Sequence, residues 1–127
     1  MDRGELECGE LTERIIGAAI QVQRTLGPGF IESIYENALV IELQHRGLKV
    51  EQQIEVPISY RDRPVGTHRL DLRAADSIVV ELKAIKALED VHFSIVRSYL
   101  RATRLKHGLL LNFSKVPLDV KRVIYDP

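Results

Sequence analysis

Apolar residues recur along the chain with two different periods, and the changes of period divide it into secondary-structure elements. Spacings of three and four residues over 11–26, about 31–46 and 88–105 predict three helices. Alternating or continuous apolar stretches predict five strands, over residues 49–60, 65–72, 77–85, 109–113 and 120–125. The order α-α-β-β-β-α-β-β has strands on both sides of a helix. It therefore predicts an α/β fold, a mixed sheet with flanking helices.

The third predicted strand, residues 77–85, contains two charged residues, which are unusual in so apolar a strand. Nearly every other position is apolar, which is typical of a strand covered on both faces. Glu81 and Lys83 lie two positions apart and therefore share a face. Burying such charges costs free energy unless they are paired or bind a metal. The pattern indicates a site, although an ordinary surface Glu–Lys pair would have the same spacing.

The turn before this strand brings a second carboxylate towards Glu81. The midpoint of positions 71 and 81 is Asp76, so a hairpin centred there places Asp71 directly across from Glu81. Facing carboxylates repel unless a cation lies between them, and oxygen ligands with room for water suit Mg²⁺ or Mn²⁺. Lys83 is then placed to hold an attacking water or a developing oxyanion. This predicts metal-assisted phosphodiester hydrolysis; a structural Asp–Lys pair at a sheet edge is the alternative.

The second predicted helix has a polar face at its start. Glu32, Tyr35 and Glu36 follow the i, i+3, i+4 spacing that aligns side chains on one side of a helix. A carboxylate is also favoured near a helix N-terminus by the helix dipole. A solvated helix start therefore explains these residues as well as a functional face does.

The charge of the chain limits the kinds of partner that the protein is expected to bind. The formal net charge is zero, which excludes a strongly basic protein that coats nucleic acid indiscriminately. Basic residues are nevertheless concentrated locally: Arg97, Arg101 and Arg104 form a helical stripe, and no acid occurs in residues 91–107. The stripe predicts a contact with a phosphate backbone, or alternatively a solvated helix face. A second basic cluster surrounds the first hairpin, at Arg61, Arg63, Arg69 and Arg73.

Length and the remaining composition predict one domain over residues 1–127, with residues 1–9 as a flexible N-terminal segment. The single cysteine and the scattered histidines lack the spacing of a zinc site. The polar, acidic start is unlike a signal peptide, and no apolar run is long enough for a membrane span. We therefore expect a cytoplasmic protein with no membrane partner.

Residues 29–35, Gly-Phe-Ile-Glu-Ser-Ile-Tyr, resemble the signature of the GxxExxY family, a small branch of the PD-(D/E)XK nuclease-like superfamily. The resemblance covers the chain from about Leu11 to Val123. Its further parts are Asp71, Glu81-Leu82-Lys83, Val91-His92, Tyr99-Leu100 and residues 108–113. It implies a restriction-endonuclease-like αβββαβ core with an extra N-terminal helix.

The resemblance also implies roles for individual residues. Asp71 and Glu81 would be metal ligands, Lys83 the catalytic lysine, and Glu32 an additional catalytic acidic residue beside the metal. The residues that would support the site are Tyr35, Tyr99 and His92. Core contacts for the two tyrosines, and a helix cap or surface position for the histidine, are the alternatives.

These observations together predict a nuclease that depends on Mg²⁺ or Mn²⁺ and acts on nucleic acid, DNA before RNA. A homodimer is also expected, because so small a domain needs a second copy to hold a duplex. The alternative is a non-catalytic module of the same fold that binds a partner protein or nucleic acid. Ile95 favours it, because relatives often have Gln at this position, four residues before Tyr99.

Overall fold

The structure, a computed structural model, describes residues 3–126, and their side chains from residue 8 onward. Its elements are α1 (Arg3–Leu26), α2 (Glu32–His45), β1 (Val50–Tyr60), β2 (Arg63–Ala74), β3 (Ile78–Lys83), α3 (Asp90–Thr103), β4 (His107–Asn112) and β5 (Asp119–Ile124). This order confirms the predicted α/β class. The stretch from α2 to β4 is the αβββαβ core, to which α1 and β5 are added.

Helix α1 begins at Arg3, so the predicted start at Leu11 is wrong. The reason is that Cys8 packs against the core one turn before Leu11 and extends the same apolar stripe. Thr12 Oγ1 also donates a hydrogen bond of 2.6 Å to the Cys8 carbonyl. The first two residues lie outside the described part of the chain, and the flexibility expected for residues 1–9 stays a prediction.

The five strands form one mixed sheet in the order β1-β2-β3-β4-β5. Strands β3 and β4 are parallel, and every other neighbouring pair is antiparallel. Parallel strands need a long crossover connection, which α3 provides here. None of the helices in the described residues is both long and apolar enough to cross a membrane.

Both faces of the sheet are covered, as the apolar third strand predicted. Ile78, Val80 and Leu82 of β3 belong to the core formed with α1 and α2. Val79 lies in a second core formed with α3. Gly108 of β4 allows α3 to approach closely, because a Cβ atom there would be 2.9 Å from Cγ1 of Val96. The central strands are therefore held between two helical layers.

The regular alternation of side chains between the two faces of the sheet is interrupted at one point of the β1–β2 pairing. Their ladder pairs Gln52 with Leu72 and Ile54 with Leu70, but it leaves out Gln53 and Asp71. Gln53 has a φ of 53°, in the left-handed region. Leu70 and Leu72 would share a face in a regular strand, yet they belong to opposite cores. Strand β2 therefore changes faces at Asp71.

Candidate active site

The β2–β3 hairpin sets the register of the two central carboxylates. Its pairs run from Ala74 with Ile78 to Leu72 with Val80, so the hairpin is centred on Asp76, as predicted. Continuing this register by one residue places Asp71 opposite Glu81. The regular pairing ends just before these two residues, so the strands separate where the carboxylates begin.

Each carboxylate accepts a backbone hydrogen bond from the opposite strand. The Asp71 amide donates to Glu81 Oε1 at 2.9 Å, and the Leu82 amide donates to Asp71 Oδ2 at 2.9 Å. Side-chain oxygens thus replace the carbonyls of a regular ladder. The carboxyl groups are also close enough to hydrogen-bond to each other when one of them is protonated. This arrangement holds both groups in fixed positions, and no described lysine, arginine or histidine forms an ion pair with either of them.

The electrostatics of this pair test whether the predicted metal fits. Glu81 is only 5% exposed. Burial, followed by the negative charge of Asp71, raises the pKa of Glu81 to about 9. Burial of Glu81 beside Asp71 therefore favours a bound proton or a bound cation. Two fixed carboxylates are hard oxygen donors, so Asp71 and Glu81 fit a divalent cation such as Mg²⁺ or Mn²⁺ that keeps water ligands.

Lys83 and Glu32 lie within electrostatic reach of the pair. Burial raises the pKa of Glu32, Asp71 raises it further, and the positive charge of Lys83 opposes this shift. The positive charge of Lys83 likewise opposes the rise in the pKa of Glu81. The fold thus brings together four predicted site residues from α2, β2 and β3. Among the described side chains, no three from His, Cys, Asp and Glu form a ready metal-binding group, and Glu32 as a metal ligand stays a prediction.

Tyr99 of α3 lies beside the same carboxylates. Its pKa is raised to about 12 by burial and then by the negative charges of Glu81 and Asp71. Its ring packs edge-on against His68, with the ring centroids 4.7 Å apart. The structure thus places Tyr99 at the cluster, and its supporting role there stays a prediction.

Tyr35 makes its contacts away from the carboxylates. The Tyr35 hydroxyl donates to the Gly27 carbonyl at 2.7 Å and accepts a hydrogen bond from the Phe30 amide at 3.3 Å. Its ring is buried and stacks on Phe113, with centroids 4.7 Å apart. These contacts match the core-contact alternative. They also fix the turn before α2, and thereby the start of the helix that carries Glu32.

His92 lies at the beginning of α3. Its Nδ1 accepts a hydrogen bond of 2.8 Å from the Glu89 amide, so the imidazole caps the helix. It also lines a cavity of 460 Å³ together with Lys86 and Lys115. These contacts match the helix-cap alternative and do not connect His92 to the carboxylate pair.

A buried glutamate behind the site was not identified as a functional residue from the sequence. Glu36 is 6% exposed, and its carboxylate accepts hydrogen bonds from Gln52 Nε2 at 2.6 Å and from Gln53 Nε2 at 2.9 and 3.0 Å. We call these three residues the Glu36 clamp. Because Gln53 lies where the ladder skips Asp71, the clamp ties α2 to the break beside the candidate site.

Asn112, at the end of β4, holds the chain that leaves β3 after Lys83. It is fully buried, and its Oδ1 accepts hydrogen bonds from the Ile85 amide at 3.1 Å and the Ser114 amide at 3.3 Å. Its Nδ2 donates to the Ile85 carbonyl at 2.9 Å. A polar residue that ends an apolar strand is the signal in the sequence that could have identified this role.

The three arginines of the predicted stripe lie on α3 and at its C-terminal cap, and their contact with a phosphate backbone stays a prediction. Arg101 and Arg104 line a cavity near the C-terminal end of α3, whereas Arg97 is absent from its lining. The basic cluster at the hairpin is partly neutralised. Arg69 pairs with Glu55 at 2.6 Å, and Arg73 pairs with Glu51 at 2.8 Å; these are the ion pairs that cross the β1–β2 ladder there.

An αβββαβ core whose central hairpin carries two carboxylates and a lysine defines a nuclease-like α/β domain. The family model of the PD-(D/E)XK nuclease superfamily matches residues 9–123, and the chain belongs to this superfamily. Comparisons with curated proteins and with solved structures gave no significant match.

Proposed function

We propose that the protein is a metal-dependent nuclease of the GxxExxY branch that hydrolyses phosphodiester bonds in nucleic acid, DNA in preference to RNA. The observation that carries this proposal is the facing pair Asp71 and Glu81, with Lys83 two positions after Glu81. Superfamily membership supports the reaction class. The matching of residues 29–35 to the branch signature supports the branch. A homodimer that holds a duplex belongs to the same proposal.

In the proposed mechanism, Asp71 and Glu81 would hold Mg²⁺ or Mn²⁺, which would supply Lewis acidity and lower the pKa of water. The backbone hydrogen bonds to both carboxylates keep them in position before substrate arrives. The Lys83 ammonium stabilises the negative charge that develops on the scissile phosphate. Glu32 places a further negative charge near Lys83 and Asp71, which strengthens the field that attracts a cation.

A non-catalytic module with the same fold, which binds a partner protein or nucleic acid, is the second candidate. In such a module the pair would hold a proton in place of a cation, which the raised pKa of Glu81 permits. Ile95, which is partly exposed on α3, supplies no polar group where relatives often have Gln.

A cleavage assay separates the two candidates. Labelled single- and double-stranded DNA and RNA are incubated with the protein in Mg²⁺, Mn²⁺ or EDTA. We expect cleavage with either metal and a loss of at least about 100-fold in Asp71→Asn and Lys83→Ala. Lys49→Ala is the matched control, because this exposed lysine pairs with Asp76 in the turn and should leave activity unchanged.

Two results would contradict the nuclease. One is cleavage that survives Lys83→Ala, which would assign the activity to a contaminant or another residue. The other is persistent inactivity of a folded wild type, which would support the non-catalytic module. Calorimetric titration with Mn²⁺ tests the metal site separately, since equal binding by wild type and Asp71→Ala would rule out that site.

A further inference from the structure

A cavity of 380 Å³ lies at the end of the sheet opposite the carboxylate pair. Its lining residues are Arg101, Arg104, Leu105, Lys106, Tyr125 and Asp126. It adjoins the start of β4, where His107 pairs with Ile78, whereas Lys83 pairs with Asn112 at the far end of the same two strands. The cavity is therefore separate from the candidate active site, and we call it the α3 cavity.

The α3 cavity carries positive charge that its own acidic residue does not neutralise. Lys106 Nζ lies 3.9 Å from a carboxylate oxygen of Asp126, the acid in the lining. Among the described residues, neither Arg101 nor Arg104 forms an ion pair. Two guanidinium groups therefore face this cavity without a carboxylate partner.

The Arg101 side chain is held against an aromatic wall. Its Cζ lies 5.6 Å from the centroid of the Tyr125 ring, within the range of a cation–π contact. This contact limits the positions of the guanidinium without using its N–H donors. Those donors remain available for an anion with several oxygens.

Arg104 occupies a backbone position that folding alone would give to glycine. It caps α3 with φ 60° and ψ 25°, in the left-handed region. Glycine adopts this conformation without the steric cost that a side chain meets. The Arg104 guanidinium at this position pairs with no described acid, so its donors are available to a ligand.

We propose that the α3 cavity binds one phosphate group of a nucleic-acid strand, with Arg101 and Arg104 as its donors. The planar guanidinium matches two phosphate oxygens at once, and Tyr125 and Leu105 supply an apolar wall for the adjoining sugar. Such a contact positions a strand without reading its sequence. Nucleic acid as the occupant rests on the proposed nuclease function.

Binding without cleavage tests the proposal. Fluorescence polarisation of a labelled DNA single strand is measured in EDTA over a series of KCl concentrations. Arg101→Ala and Arg104→Gly are each expected to weaken binding several-fold and to make the salt slope shallower, by at most about 0.7 because both arginines bind the same phosphate. Arg97→Ala is the matched control on the same helix and should change both quantities less. Arg104→Gly should also melt at or above the wild-type temperature, so its weaker binding is not loss of fold.

Equal losses in all three variants would overturn the proposal in favour of diffuse charge, and no loss in Arg101→Ala and Arg104→Gly would overturn it outright. Inorganic phosphate, exchanged for chloride at constant ionic strength, should compete with DNA on wild type but not on a variant that combines Arg101→Ala with Arg104→Gly. If phosphate saturates the cavity while both variants bind DNA normally, the occupant is free phosphate and the nucleic-acid assignment is wrong.

The outcomes also separate this proposal from the nuclease. A wild type that binds DNA through Arg101 and Arg104 in EDTA, yet never cleaves with Mg²⁺ or Mn²⁺, supports the cavity and contradicts the nuclease. If the wild type cleaves DNA and the Arg101→Ala and Arg104→Gly variants bind DNA as tightly as the wild type, the cavity proposal is wrong and the nuclease proposal stands.

Discussion

The two ends of β3 hold charge in opposite ways. At its C-terminal end, Glu81 is buried and Asp71 is half-buried, and both carboxylates accept hydrogen bonds from backbone amides. At its N-terminal end, Arg101 and Arg104 lie exposed around a cavity and pair with no described acid. Buried charge is costly and must be supported by the fold, whereas hydrated charge can stay available for a ligand. A net charge of zero therefore does not show that the charges of this chain share one physical state.

The largest expected effect comes from removing the buried charge with Glu81→Gln. Without divalent cations, native Glu81 has a pKa of about 9 against an ordinary value of 4.5, so the native state binds the proton more tightly than the unfolded state. Wild-type stability is therefore complete below the lower value. It falls as pH rises towards the upper value, by at most about 1.4 kcal/mol per pH unit. Glutamine should remove most of this slope and make the variant the more stable protein at about pH 8.

Urea unfolding in EDTA over this pH range measures the difference, with Glu55→Gln on the exposed hairpin as control. Added Mn²⁺ should stabilise wild type increasingly as pH rises, because the cation replaces the proton, and should stabilise Glu81→Gln less. Identical pH slopes in wild type and Glu81→Gln would show that Glu81 is not the group responsible.

An intermediate effect is expected from Glu36→Ala. The change removes the charged acceptor of the Gln53 amide and one of the two acceptors of the Gln52 amide, which keeps its bond to Asn37 Oδ1. Loss of these hydrogen bonds to a carboxylate should lower the free energy of unfolding by about 2 kcal/mol. If the protein is a nuclease, kcat should fall more than KM changes, because the clamp positions α2 beside Asp71. Glu36→Gln, which retains an acceptor oxygen, should recover part of the activity.

The control is Glu42→Ala, on the same helix, which removes an ion pair with Arg46 and should cost about 0.5 kcal/mol. Equal stability of Glu36→Ala and Glu42→Ala would show that the clamp contributes no more than a surface pair. A change confined to KM would contradict its positioning role.

The smallest effect is expected from Arg69→Ala on the β1–β2 hairpin. Arg69 and Glu55 are both about 60% exposed and neutralise each other, so the change should alter stability by less than about 0.5 kcal/mol. The salt slope of DNA binding should also remain that of wild type. If Arg69→Ala weakened DNA binding as much as Arg101→Ala does, the hairpin would be a nucleic-acid contact. The contrast between paired and unpaired arginines would then be wrong.

Much of the fold was predictable because the period of apolar residues records which side of an element is buried. The opposition of Asp71 and Glu81 was predictable for a similar reason, since counting through a hairpin turn gives the register of both strands. The start of α1 was missed because Cys8 supplies the first described core contact in an otherwise polar stretch.

Other features of the site depend on contacts between distant parts of the chain. Glu36 lies one helical turn after Glu32, a spacing that looks the same for a solvated and a buried carboxylate. Its burial depends on two amides from β1, and the left-handed conformation of Gln53 is not indicated by its residue type. The separation of Arg97 from the α3 cavity likewise depends on where Tyr125 lies after β5.

The change of faces in β2 has a consequence for cooperativity. Leu70 is anchored in the layer beneath α3 and Leu72 in the layer beneath α1 and α2, with Asp71 between them. Displacing Asp71 towards either layer must pull a leucine out of the other, so the carboxylate is braced from both sides. The position of the Asp71 carboxylate therefore depends on the packing of both cores, and we expect that disrupting either core also displaces the carboxylate.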